Sequence, residues 1–163
     1  LSRFNPEAYE RYRALVPVDQ QDQILKSYYQ MMTSGDADIR NRASYEMMRW
    51  EEAGFTIQDH EVPVMNEDFA WHQGLLEAHY CVHNCFIEDR PIADHLSVLE
   101  GMPVYIVNGH YDLLCPPAKA YQLHQALPES HLAVVDRAGH ASKEPAMVHA
   151  LVSATDAMLE RLS

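Results

Sequence analysis

Two kinds of hydrophobic pattern follow one another along the chain. To about residue 95, apolar residues fall in helix-length segments separated by short polar breaks. The segment "NPEAYERYRALVP" opens with an Asn cap and Pro6 at the first helical position and closes at Pro17. "DQQDQILKSYYQMMTSG" runs from an Asp cap to a terminal Gly, and "DADIRNRASYEMMRWEEAG" repeats that grammar. "EDFAWHQGLLEAHYCVHNCF" is a fourth predicted helix, interrupted in its middle by Gly74. Beyond Pro103 the pattern changes. "VYIV" and "HLAVV" are short continuous apolar runs of the kind buried strands show, alternating with the helical segments "PAKAYQLHQAL" and "EPAMVHALVSATDAMLERL". In the last segment Val148, Leu151, Val152, Thr155, Leu159 and Leu162 share one helical face.

Strand, helix, strand, helix with short connections predicts a βαβα unit, and therefore two parallel strands of a covered α/β sheet. Two strands do not complete such a sheet. The others are expected from sequence beyond this chain or from a second copy, and a chain of 163 residues opening on Leu1 instead of Met fits a processed or cut piece. The expected organisation is a helical cap over 1–95 followed by a strand-bearing portion over 96–163.

Composition narrows the classes. Apolar residues make up 47% and charged residues 22%, a globular balance that indicates neither disorder nor a fibrous repeat. No apolar run approaches the ~20 residues needed to cross a bilayer, so no membrane association is expected. With 24 acidic against 12 basic side chains, the net charge of -12 repels phosphate backbones and argues against nucleic acid as a partner. Three cysteines, an odd number, argue against a secreted disulfide framework and for a cytoplasmic setting.

The candidate chemistry sits just past the two apolar runs. Asp112 follows "VYIV" and His140 follows "HLAVV". Adjacent parallel strands end at one edge, where open α/β sheets place their ligands, so the two side chains are able to meet there. An aspartate against one ring nitrogen fixes the imidazole tautomer and stabilises the imidazolium, leaving the other nitrogen to take a proton from a nucleophile. The plainer alternative is that Asp112 caps the following helix and His140 is a surface loop residue.

"GHYDLLCP" followed by "AGHASKEP" resembles the end of an α/β-hydrolase catalytic domain, in which the triad runs Ser, acid, His along the chain. With "RWEE", "LLEAHYCVHNCF" and "LEGMPVYIVNG" upstream, the resemblance narrows to the prolyl aminopeptidase (proline iminopeptidase) family and covers most of the chain. It implies a serine peptidase that removes an N-terminal proline from small peptides and needs no cofactor. Asp112 would be the triad acid and His140 the general base. Glu51 and Glu77 match cap carboxylates that hold the free amino terminus of the substrate, and Cys115 matches a cysteine beside the catalytic pocket. On physical grounds, paired carboxylates offset the lost hydration of a cationic proline amine and reject blocked termini; solvated helix surface is the alternative for both glutamates.

The sequence departs from the family pattern at His110 (usually Arg), Ala141 (usually Ser), Cys81 (usually Phe) and His83 (usually Asn). No two of the six glycines are four apart, so no G-x-S-x-G nucleophile elbow is present among the 163 residues. The expected partner is accordingly an N-terminal half of the hydrolase carrying the Ser nucleophile and oxyanion hole, with the isolated chain inactive. Other readings are an esterase-like α/β-hydrolase and a non-catalytic binding module derived from a hydrolase cap, with "YYQMM" and "YEMMRW" as docking face or core. In "HYCVHNC" the His79–His83 and Cys81–Cys85 pairs are offset by two residues, which points them to different sides of a helix and argues against a metal site.

Overall fold

The computed structural model describes residues 1–55, 57 and 66–163. Among these, residues 1–53 and 66–89 form one compact unit, and residues 54, 55, 57 and 90–163 form another. The cap expected over 1–95 also spans residues 56 and 58–65, which lie outside the described residues.

The first unit is built from four helices: α1 (Pro6–Ala14), α2 (Ile24–Met32), α3 (Ala37–Glu52) and α4 (Glu67–Val82). The starts of α3 and α4 are set by side chains. Asp36 accepts from the amides of Asp38 and Ile39, and Asn66 from those of Asp68 and Phe69, satisfying donors that a helix leaves orphaned. The other two expected caps behave differently. The Asn5 side chain donates instead to the Ala53 carbonyl at 2.8 Å, tying the end of α3 to the start of α1. Residues 18–20 form a short 3-10 turn, so α2 begins only at Ile24, with Gln23 rather than an Asp before it.

The core of this unit is aromatic and thioether-rich. Tyr12, Tyr28, Met32, Ala43, Met47 and Ala78 are buried together, with Trp50 and Trp71 packed against them. Tyr12 stacks on Tyr28 and on Trp50 at 4.3 and 5.5 Å between ring centroids, and the Tyr28 hydroxyl donates to the Tyr12 carbonyl at 2.7 Å. "YYQMM" and "YEMMRW" therefore supply core, although Tyr45 stays exposed. Gly74 sits where α4 crosses α2: a methyl group at that position would lie 3.3 Å from the Met32 Cε, so a missing side chain permits the approach.

In the second unit a 3-10 segment, Ile92–Leu99, leads into β1 (Tyr105–Gly109), α5 (Pro117–Ala126), β2 (His131–Val135) and α6 (Pro145–Leu162). The strands are parallel, with Tyr105 opposite His131 and Gly109 opposite Val135. β1 starts one residue later than the apolar run suggests and continues through Asn108 and Gly109, because those residues complete the ladder with Val134 and Val135. Both helices begin on proline, whose missing amide costs nothing at that position. The apolar face of α6 is uncovered among the described residues: Val152, Leu159 and Leu162 are 52%, 67% and 69% exposed. No helix among the described residues is long and apolar enough to cross a membrane.

Candidate active site

The chain leaves β1 at Gly109 and turns at once. The His110 amide donates to Val135, the Tyr111 amide to Ala138, and the Asp112 amide to Gly109. The turn sets Asp112 against the loop that follows β2. There the His140 Nδ1 lies 3.0 Å from Asp112 Oδ2 and 3.2 Å from Oδ1. Asp112 is 7% exposed and the His140 side chain 31%. A buried carboxylate requires donors, and this one has three. Besides the imidazole, the amides of Leu114 and Cys115 donate to its Oδ1 at 3.0 and 2.7 Å. Asp112 does not cap the following helix, which is preceded by Pro116 and has no side-chain cap; it braces the turn before that helix and binds the imidazole at the same time. With Nδ1 committed to the carboxylate, the Nε2 lone pair is left to accept a proton.

Several groups hold the histidine in place. A Cβ on Gly109 would run into the backbone of Ala138 and Gly139, so the strand end and the histidine loop can approach only because residue 109 has no side chain. The Gly139 amide donates to both carboxylate oxygens of Glu144, at 3.1 and 3.3 Å. The amides of His140 and Ala141 both donate to the Phe55 carbonyl at 2.9 Å, and the Phe55 ring meets the imidazole edge-on at 5.0 Å. Phe55 and Glu144 have no sequence signal as positioning residues: Phe55 acts largely through its carbonyl and lies far away along the chain.

Glu51, at the end of α3, and Glu77, in the third turn of α4, form a second cluster within the first unit. Their carboxyl groups are close enough to share a hydrogen bond, which forms only with a proton on one of them because two carboxylates have no hydrogen to share. Burial, then the Glu77 bond and charge, then Glu52, push the Glu51 carboxyl up from 4.5 to about 9. Tyr12 shares this environment: burial and then the charges of Glu51 and Glu77 raise its phenol well above the ordinary value. Sequence reasoning had no means of naming Tyr12, since a tyrosine at a helical core position reads as packing alone.

Cys115 sits on the Asp112 turn, and burial followed by the Asp112 charge raises its thiol. Of the family departures, His110 places Nδ1 3.2 Å from the exposed Asp136 carboxylate. Among the described residues, no group of three or more His, Cys, Asp or Glu is arranged to hold a metal ion.

An aspartate and a histidine brought together after adjacent parallel strands is an arrangement that α/β-hydrolases use. The family model described as "TAP-like protein", an α/β-hydrolase family, matches residues 67–161. The chain is 36% identical over 157 residues to a probable proline iminopeptidase of Leptolyngbya boryana, covering 93% of this chain and 48% of that protein. Against a proline iminopeptidase of Xylella fastidiosa strain Temecula1 it is 33% identical over 163 residues, covering 97% and 52%. Against one of Arabidopsis thaliana it is 29% identical over 158 residues, covering 94% and 42%. This chain belongs to the proline iminopeptidase family of the α/β-hydrolase superfamily, and its architecture matches the C-terminal part of such a hydrolase. It spans about half the length of the curated relatives it matches.

Proposed function

We propose that this chain supplies the acid, the base and the amine-recognition carboxylates of a serine aminopeptidase that releases N-terminal proline from small peptides. The observation that carries the reading is the His140–Asp112 contact at 3.0 Å in a chain whose relatives are named proline iminopeptidases. His140 takes the proton of a Ser hydroxyl through Nε2 and returns it to the leaving amine, while Asp112 holds the tautomer and stabilises the imidazolium. The Ser and the oxyanion hole come from an N-terminal half of the hydrolase, and without them the chain is catalytically silent. Cys115 lines the pocket from the Asp112 turn.

Glu51 and Glu77 receive the substrate amine. In the empty site one shared proton limits the repulsion between them. A secondary ammonium replaces that proton with two charge-assisted hydrogen bonds, and a blocked terminus has no charge to offer. Substrate selection in this scheme is a competition between a proton and a cation for the same two carboxyl groups.

The test is release of naphthylamine from proline β-naphthylamide by a protein comprising this chain and an N-terminal half with a G-x-S-x-G elbow. Turnover of the free-amine substrate with rejection of N-acetyl-proline β-naphthylamide supports the assignment. Preference for an uncharged acyl ester over both would instead mark an esterase.

A further inference from the structure

We propose that Cys81 and Cys85 form a reversible dithiol–disulfide pair, a modification site at the end of α4 that low-molecular-weight disulfides close and thiols reopen. A continued α-helix would not permit it: side chains four apart lie about 5–6 Å apart at Cβ, and a disulfide needs about 3.8 Å. Here the helix stops. Asn84, Cys85 and Phe86 adopt left-handed backbone conformations in succession, with φ of 51°, 53° and 58°. Asn tolerates that region; Cys and Phe adopt it only when their surroundings impose it.

The reversal folds the chain back onto the helix it has just left. The Phe86 ring stacks on His83 at 5.3 Å and 9° and meets His79 and Tyr80 at 5.5 and 5.6 Å. The Phe86 amide donates to His83 at 3.0 Å, the Ile87 amide to Asn84 at 3.2 Å, and the Asn84 side chain to Glu88 at 2.9 Å. Cys85 is carried back with them, close enough to Cys81 for the two thiols to act on each other. Both thiols are exposed and unbridged.

Cys81 also borders the carboxylate cluster. Cys81 follows Glu77 by one helical turn, and burial, then the charges of Glu77, Cys85 and Glu51, hold its thiol above the ordinary value. The carboxylate charge one turn away therefore adds to burial in holding Cys81 as a thiol, and the thiolate is the form that attacks disulfides. The exchange balances without further reagents. One cysteine thiolate attacks oxidised glutathione and expels a glutathione thiolate; the second cysteine displaces the other glutathione. The protein loses two hydrogens and two glutathiones are released reduced. The dithiol stands whether or not the amine-binding reading does, because its readout is mass, not peptidase activity.

The experiment incubates the full chain with oxidised glutathione, traps remaining thiols with iodoacetamide, and digests with a Glu-specific protease. Cleavage after Glu77 and Glu88 places both cysteines in one peptide, Ala78–Glu88, which excludes Cys115. The expected peptide is two hydrogens lighter, unalkylated, and restored by dithiothreitol, while Cys81→Ser and Cys85→Ser each carry one glutathione on the remaining thiol. Recovery of the wild-type peptide with two glutathiones, or with both cysteines alkylated, overturns the proposal. Glu77→Gln is expected to close the bond several-fold faster at neutral pH, and an unchanged rate overturns the link to the carboxylates.

Discussion

Replacing Glu51 with Gln removes an ionisable group whose folded form is held protonated. The unfolded carboxyl titrates near 4.5 and the folded one near 9. Below 4.5 both states carry the proton and the group contributes no pH dependence. Between those values the folded state keeps a proton that the unfolded state releases, so stability falls as pH rises, and it levels off above about 9. At about 1.36 kcal/mol per pH unit, the stretch from 4.5 to 7 amounts to about 3.4 kcal/mol for an isolated, fully buried carboxyl. Glu51 is half-buried and shares its proton with Glu77. Roughly half of that, about 1–2 kcal/mol, is the expected gain in stability for Glu51→Gln at neutral pH. Gln retains a donor for the Glu77 carboxylate, so the pair is not left broken. The assay is urea unfolding followed by tryptophan fluorescence, since Trp50 and Trp71 both lie in the first unit beside this core. The two proteins should unfold alike near pH 5 and separate increasingly toward pH 9, with the Gln variant more stable. A constant offset across that range, or a less stable Gln variant at pH 8, would refute the shared-proton account.

Two further outcomes follow from the second unit. Asp112→Asn in the complete enzyme should lower turnover by about ten-thousand-fold, through loss of the correct His140 tautomer; activity within tenfold of the parent, in protein with an unchanged circular dichroism spectrum, would contradict the pairing. Gly109→Ala drives a methyl group into the Ala138 and Gly139 backbone, and should destabilise the second unit by about 3 kcal/mol or more. Because neither tryptophan lies in that unit, hydrogen exchange of the β1 and β2 amides is the appropriate measurement.

What the sequence discloses depends on how local each cause is. The βαβα unit is written in short apolar runs flanked by Pro and Gly, and the strands and helices appear within a residue or two of those signals. The cap at Asp36 is equally local. The late start of α2 is not, because nothing in "DQQDQ" distinguishes a capped helix from a 3-10 turn that precedes one. At the candidate site, Asp112 and His140 follow from strand ends and chain order. Phe55, Tyr12 and Glu144 do not, since their contributions are a carbonyl, a packed ring and a loop strap fixed only by tertiary contact. The left-handed run at Asn84–Phe86 is likewise unreadable from "HNCF", because its cost is outweighed by ring contacts that exist only after the chain has turned.

The two amides of His140 and Ala141 reach back to the Phe55 carbonyl across more than half of the polypeptide. Contacts so distant in sequence are assembled slowly, since the entropy of bringing their ends together is lost before any packing rewards it. The helices around Tyr28 and Met32 involve shorter spans and can condense without waiting. In a refolding time course, the imidazole should therefore acquire its native chemical shift after the tryptophan signal has already plateaued.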